Sequence, residues 1–267
     1  FLKNLGRLFF AQDFSRLRYL LRNADSLVSV SRGYLDWGLA KVGRTPKESE
    51  RVFYSGYKRW LNDRGGQDDG GSGTSAWVER IGGRKPLIFI GTFGVSYELS
   101  LIVEVARKFH EMGRDDVCFV LAGTGEQEEA IKKQAAGLPS VMLPGWLTKE
   151  EIERLLRLGW AGLVACRSIE DTLPNKIFEY LSAALPLVSS LEGEMADLIQ
   201  QHQLGLNYKP GDASGLFRSV KTLLDQPDLY DKMSHNAERF FENHGDADKI
   251  YAEYADHIER TARYGVE

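Results

Sequence analysis

The sequence predicts an α/β protein built on a doubly wound parallel sheet. Three observations carry that prediction. From Pro86 onward, apolar runs of four to six residues alternate with longer stretches of helical periodicity. The runs are apolar throughout instead of alternating in polarity, as strands covered on both faces require. The chain has 267 residues, enough for one large domain or two small ones at roughly 100–200 residues each.

The elements follow in order. Residues 1–22 read as an amphipathic helix, with Phe1, Leu5, Leu8, Phe9 and Phe10 set against Lys3, Arg7, Arg16, Arg18 and Arg22. Asn23–Asp25 breaks it. Leu and Val make Ser26–Ser31 a short strand, a helix runs from Gly33 to Val42, and Arg51–Tyr54 is a second short strand. Gly65–Gly73 holds five glycines and two aspartates, the composition of a flexible linker or insertion. Regular alternation then sets in. Strands are expected at Leu87–Gly91, Val117–Ala122, Val141–Leu143, Ala161–Ala165, Leu187–Ser190 and Gly205–Tyr208. Helices are expected at Tyr97–Met112, Gln127–Ala136, Lys149–Arg157, Pro174–Ala184, Glu194–Gln201 and Ala213–Asp225, and the chain closes on a helix over Ala247–Arg263. Six strands separated by helices make one doubly wound unit. The chain contains no internal repeat.

Composition excludes several functions. Hydrophobic residues make up 43% and charged residues 27%, which is globular and not disordered. No apolar run approaches the roughly 18–20 residues of a membrane span. Net charge is −4, but residues 1–60 carry +7 and the rest −11, as expected of two units with different surroundings. The basic residues form no dense stripe, so a nucleic-acid partner is not expected. Cys118 and Cys166 each lie inside an apolar run and read as buried thiols of a cytoplasmic protein. The five histidines are scattered without ligand spacing, and no metal site is expected.

In doubly wound sheets ligands bind at the carboxyl ends of the strands. Gly123-Thr124-Gly125 follows a strand and opens a helix, but a dinucleotide fingerprint would place glycine where this chain has Glu128. A tight turn without a ligand fits it equally well. The richest loop runs from Cys166 to Tyr180. Pro174 suits the first position of a helix, and Asp171 or Thr172 suits its cap. The free N–H groups of Asn175 and Lys176, the positive helix end and the Lys176 ammonium would together attract an anion such as a diphosphate. Glu179 lies too far along the helix to cap it and is placed to accept from ribose hydroxyls. A capped helix with a surface Lys and Glu is the plain structural alternative. A glycosidase carboxylate pair is excluded, because eight helical residues separate Asp171 from Glu179 by about 12 Å, against roughly 5–9.5 Å for such pairs.

At these residues the chain resembles the retaining family 4 glycosyltransferases of the GT-B fold. The resemblance rests on Asp171, seven intervening residues, Glu179, and the run Tyr180-Leu181-Ser182-Ala183-Ala184-Leu185-Pro186-Leu187-Val188. Leu173-Pro174-Asn175-Lys176-Ile177-Phe178-Glu179-Tyr180 is similar to bacterial members that build surface polysaccharides. Ala24–Ser31 is similar to the last strand of the family's N-terminal domain, Gly123-Thr124-Gly125-Glu126 to its second C-domain turn, and Gly145-Trp146-Leu147 to the segment that holds the base.

The resemblance implies transfer of a sugar from a nucleotide-diphosphate sugar, of UDP or GDP type, to a hydroxyl of a glycan or lipid-linked acceptor, without metal or other cofactor. It implies that Glu179 binds ribose, the backbone N–H groups of Asn175 and Lys176, beside Pro174, hold the diphosphate, Asp171 lies by the donor sugar, and Trp146 stacks on the base or its flanking backbone reads the base edge. Gly94 and Gly123 would line the donor. A core-edge aromatic is the alternative for Trp146. Residues 1–62 would be the remnant of an N-terminal, acceptor-side Rossmann-like domain and 63–84 a glycine-rich linker or insertion. Residues 85–245 would be the donor domain, and 246–267 a helix packing back toward the N-terminal domain. The family's acceptor pocket, donor loop and active-site His would lie upstream of Phe1.

Two departures stand out. The family places an Arg just after the first C-domain strand and a Lys a few residues on, whereas Gly91–Glu98 holds no basic residue. Loop N–H groups over Phe93–Ser96 and Lys176 would have to substitute. The first acid is Asp and not the commoner Glu. These departures leave two alternatives: a non-catalytic scaffold or partner subunit of glycosyltransferase-like fold, and a nucleotide-sugar epimerase. The basic helix of residues 1–22 would either pack on its own sheet or lie on a membrane carrying lipid-linked acceptors.

Overall fold

The computed structural model describes residues 10–59, 76–167 and 173–264. The chain falls into two compact units. One comprises residues up to Ser55 together with those from Asp248 onward; the other runs from Gly56 to Ala247.

The first unit holds α1 (Ala11–Asn23), β1 (Val28–Ser29), α2 (Arg32–Val42) and β2 (Arg51–Val52). It also takes nearly all of the last helix (Ala247–Tyr264). The two strands are parallel, with Val28 opposite Arg51 and Ser29 opposite Val52. They are shorter than the sequence predicts because only these residue pairs find ladder partners. Ser31 caps α2, its hydroxyl accepting from the Tyr34 N–H at 3.2 Å, and Gly43 ends it in the left-handed conformation. The turn onward is fixed by a buried ion pair, Arg44 to Glu50 at 2.9 Å. The same guanidinium donates to the carbonyls of Leu21 and Ala24. Phe53 packs on Tyr254 at 5.1 Å between ring centres, and the Ser26 hydroxyl lies 3.0 Å from His257 Nε2.

The second unit is the doubly wound one. Its strands are β3 (Lys85–Ile90), β4 (Val117–Ala122), β5 (Val141–Gly145), β6 (Ala161–Val164), β7 (Leu187–Ser189) and β8 (Gly205–Asn207). All pair in parallel, in the order β5-β4-β3-β6-β7-β8. Renumbered from β3 this is 3-2-1-4-5-6, the Rossmann order, whose direction reverses between β3 and β6. Among the described residues the helices before and between the strands and after β8 are α3 (Ala76–Ile81), α4 (Leu99–Glu111), α5 (Glu128–Ala135), α6 (Lys149–Leu158), α7 (Lys176–Ser182), α8 (Glu194–His202) and α9 (Ala213–Asp225). Then come α10 (Pro227–His244) and the last helix, α11. Strand residues Leu87, Phe89, Val117, Phe119 and Leu121 meet Ile102, Phe109 and Val220 of the helices in one buried cluster. Burial of such side chains is worth roughly 1.5–3 kcal/mol each.

Within 63–84, the segment expected as a glycine-rich linker or insertion, the described residues include a packed helix: Trp77 and Ile81 of α3 lie four residues apart on one buried face. Arg80 adds a hydrogen bond to the Val141 carbonyl at 3.2 Å. The glycine run Gly65–Gly73 lies outside the described residues. The helix expected from Pro174 begins two residues later, because the carbonyls of Pro174 and Asn175 accept tight turn bonds from Ile177 and Phe178. Among the described residues no helix is long and apolar enough to cross a membrane.

Candidate functional site

The reversal of strand order directs attention to the carboxyl ends of β3 and β6. β3 is followed by Gly91, at φ +145°, and β4 by Gly123, at φ +143°. The two turns are in direct contact: a Cβ on Gly123 would lie 1.9 Å from the Gly91 carbonyl oxygen. Only glycine fits there. The second turn braces the first. The Phe93 N–H donates to the Thr124 carbonyl at 2.8 Å, and the Gln127 N–H to the Phe93 carbonyl at 3.0 Å. The Gln127 side-chain amide donates to the carbonyls of Gly94 and Tyr97, and the Glu126 carboxylate accepts from the Val95 N–H at 2.9 Å. The expected anion donors of Phe93–Ser96 are therefore half committed already. The N–H groups of Phe93 and Val95 hold the loop together, whereas those of Gly94 and Ser96 find no acceptor among the described residues.

Lys176 opens α7, on the β6 side of the reversal. It is 8% exposed, and its Nζ makes no hydrogen bond among the described residues. The ammonium sits at the Gly91 turn, 2.7 Å from where a Gly91 Cβ would stand. It lies over the rings of Tyr97, at 3.8 Å from the centroid, and Phe89, at 4.0 Å. Burial pulls its pKa from 10.5 down to about 8, against the opposing pull of Cys166 and Glu179. An ammonium without a carboxylate or carbonyl partner keeps its charge available to an incoming anion.

Glu179 lies three residues on, half-buried, its pKa raised by burial and opposed by Lys176. α7 is held in place by Tyr180. That ring is fully buried and fills the space over Gly162, where a Cβ would come within 2.3 Å of it. Its hydroxyl accepts from the Ile90 N–H at 2.9 Å, which ties the helix to the last residue of β3. The hydroxyl of Tyr57, the second residue of this unit, is pushed up to about 12 by burial and then by the charges of Glu179 and Glu153. Tyr57 therefore shares the neighbourhood of Glu179.

Trp146 is 75% exposed, so it is not the core-edge aromatic that was the alternative. Together with Gly123, Gly91, Ile90, Leu147 and Ile152 it lines a small cavity of about 70 Å³. Its strand end is fixed by the Gly123 N–H, which donates to the Gly145 carbonyl at 2.8 Å. On its other side Thr148 and Glu151 form a reciprocal capping box on α6. Pro174 and Asn175 lie at the entry to α7, Asn175 exposed. Asp171 lies outside the described residues. The structure therefore gathers Gly91, Gly123, Trp146 and Lys176 at one end of the sheet, with Glu179 on the helix that carries Lys176. Both cysteines are buried, their thiols raised to about 11 by burial.

Sequence reasoning missed Phe89, Tyr97, Tyr57 and Gly91. Phe89 reads as one more apolar strand residue and Tyr97 as the start of a helix. Their meeting over Lys176 joins positions far apart in the chain, and no local pattern signals it.

Comparison with known proteins gives the context. The family described as "Glycosyl transferases group 1" matches residues 84–226, more than half of the chain. Sulfoquinovosyl transferase SQD2 of Arabidopsis thaliana is 29% identical over 144 residues, covering 52% of this chain and 27% of its own length. Alpha-D-kanosaminyltransferase of Streptomyces kanamyceticus is 29% identical over 158 residues, covering 58% and 40%. The chain thus matches well under half the length of these relatives. Among solved structures, Anabaena Alr3699/HepE in complex with UDP superposes with a TM-score of 0.71 at 15% identity, over 92% of this chain and 68% of that one. WaaG, a glycosyltransferase involved in lipopolysaccharide biosynthesis, gives 0.64 at 15%, over 86% and 61%. These likenesses bear out the α/β, GT-B-type fold. By the family match that spans its doubly wound unit, the chain belongs to the group 1 glycosyl transferases.

Proposed function

We propose that the protein transfers a sugar from a nucleotide-diphosphate sugar to an acceptor hydroxyl with retention of configuration, as a family 4 enzyme of GT-B type. The observation that carries this reading is the Lys176 ammonium, buried and without a hydrogen-bond partner among the described residues, at the reversal of strand order in a chain of this family. The donor diphosphate, of UDP or GDP type, lies against Lys176 and the N–H groups of Gly94 and Ser96, with Asn175 and Pro174 bordering it. Glu179 accepts from the ribose hydroxyls, Trp146 covers the base beside Gly123, and Asp171, as the first acid of the motif, is the residue assigned to the sugar. In the reaction the bond from the anomeric carbon to the diphosphate oxygen breaks. The acceptor oxygen bonds to the same face, and its proton passes to the departing phosphate. Lys176 stabilises the charge that develops on that phosphate. No other cofactor is needed.

A glycan or lipid-linked acceptor and a role in bacterial surface polysaccharide synthesis, on the cytoplasmic side of the membrane, complete the reading. The resemblance and the likeness to WaaG support it. A peripheral membrane contact through the N-terminal helix is supported by α1, which buries no residue and exposes Phe14, Tyr19 and Leu20 beside its arginines. The absence of any Lys or Arg over Gly91–Glu98 favours one second reading, a scaffold subunit that binds nucleotide without turnover.

The test is thermal unfolding with UDP, GDP, ADP and UDP-sugars, with Glu179→Ala as control. A ligand at ~100 times its Kd adds ~2.7 kcal/mol. A shift with one nucleotide, lost in the variant, is the expected result. An equal shift in Glu179→Ala refutes the ribose assignment. Binding without sugar transfer to any acceptor favours the scaffold reading.

A further inference from the structure

We propose that Tyr97 and Phe89 are positioning residues that cage the Lys176 ammonium and hold it, charged, at the Gly91 turn for the donor's diphosphate. The inference rests on the donor-site reading above. A buried ammonium ordinarily takes a carboxylate or several carbonyls, and Lys176 takes neither among the described residues. Its Nζ instead lies 3.8 and 4.0 Å from the centroids of two aromatic rings, within the ~6 Å over which a ring face attracts a cation. The choice has a chemical consequence. A carboxylate would neutralise the charge that a diphosphate needs, whereas a ring quadrupole stabilises it and leaves it uncancelled.

The cage is itself rigid. The rings of Phe89 and Tyr97 meet edge to face at 5.1 Å and 74°, and Phe93 packs against Phe89 at 6.2 Å and 62°. Phe89 is fully buried in β3. Tyr97 is pinned by its backbone: it bridges to Cys166 at the end of β6, its N–H donates to the Gly94 carbonyl, and its own carbonyl accepts from Gln127. Gly91 supplies the room, because a Cβ there would stand 2.7 Å from Nζ.

The titratable groups around Nζ are Cys166 beyond β6, Glu179 and Tyr180 on α7, and Tyr97 itself, with Glu98 next to Cys166. Burial raises the pKa of Cys166, Tyr97 and Tyr180, so between about pH 7 and 9 they stay neutral. Among the described carboxylates Glu179 is the one that acts directly on Lys176, and Glu98 is engaged by the Gly211 N–H at 2.9 Å. Loss of affinity on raising pH through that window therefore reports Lys176.

The experiment titrates UDP and GDP, each against its nucleoside monophosphate, into the 267-residue chain and its Tyr97→Leu, Tyr97→Phe, Phe89→Leu and Lys176→Met variants. Tyr97→Leu is expected to weaken the diphosphate about tenfold while the monophosphate changes little. It is also expected to move the alkaline fall in diphosphate affinity to lower pH. Tyr97→Phe keeps the ring face and restores both, and Phe89→Leu repeats the loss if Tyr97→Leu does not fold. The cage is overturned if Tyr97→Leu weakens both ligands equally, or leaves the diphosphate unchanged while Lys176→Met removes its advantage. If Lys176→Met keeps that advantage, or the unaltered chain binds neither diphosphate, the donor-site reading fails, and the cage with it.

Discussion

Replacing Lys176 by Met should make the protein more stable while depriving the site of its cation. Burial lowers the Lys176 pKa from 10.5 to about 8. At 1.36 kcal/mol per pH unit, the charged side chain costs roughly 3 kcal/mol in the folded state at neutral pH. Solvent screening removes little of this, since the residue is 8% exposed. The faces of Phe89 and Tyr97 return about 1–2 kcal/mol, leaving a net cost of roughly 1–2 kcal/mol. Met has nearly the same length and packs well on aromatic rings, so Lys176→Met should gain about that much. The pH dependence has a definite sign. The rings pull the folded pKa back from about 8 toward 10.5 but leave it below the unfolded value, so as pH rises from about 8 to 10.5 the unfolded chain binds more protons and stability rises; below about 8 it is flat in this group. The advantage of the variant is therefore full at neutral pH and shrinks across that window. Urea unfolding near pH 7 and again near pH 9.5, with the slope m unchanged, measures both. Equal or lower stability of Lys176→Met near pH 7 would falsify the claim that the ammonium is desolvated in the free protein.

Gly123→Ala should lose about 3 kcal/mol or more, because its Cβ would overlap the Gly91 carbonyl at 1.9 Å. Urea unfolding reads the loss, and one below about 1 kcal/mol would mean the two turns part freely. Cys118 and Cys166, with thiols at about 11, should resist a thiol reagent near pH 8 in the native state and react fully in urea. Labelling of either at the unfolded rate contradicts its burial.

The doubly wound unit was legible in sequence because every strand of a sheet covered on both faces must be apolar at successive positions. The uninterrupted runs from Leu87 to Tyr208 could not be amphipathic, and their spacing left room for one helix between neighbours. The small unit was less legible. Val28 and Arg51 pair across two turns of chain chemistry that no period announces, so both strands were drawn too long. Trp77 and Ile81 were hidden by the glycines just before them, whose composition dominates any window over the region. The placement of Lys176, Glu179 and Trp146 near the carboxyl ends of the strands was legible because they sit in short motifs with fixed offsets. The cage was not, since Phe89 of β3, Tyr97 of the loop before α4 and Lys176 of α7 meet only once β3 and β6 lie side by side.

Gly91 is where fold and chemistry become the same constraint. Its carbonyl receives the Gly123 turn, its missing Cβ leaves room for Lys176 Nζ, and the residue before it is tied through its N–H to the Tyr180 hydroxyl. The cation therefore does not need to come from the loop after β3, which in this chain carries none. It comes from the far side of the strand reversal, on a helix fastened to the strand it serves. An ammonium delivered by a flexible loop would relax into water or find a carbonyl. One delivered by α7, anchored by Tyr180 and enclosed by two rings, stays in place, and on the proposed donor-site reading the stability lost in its burial is the condition for its readiness to bind a phosphate.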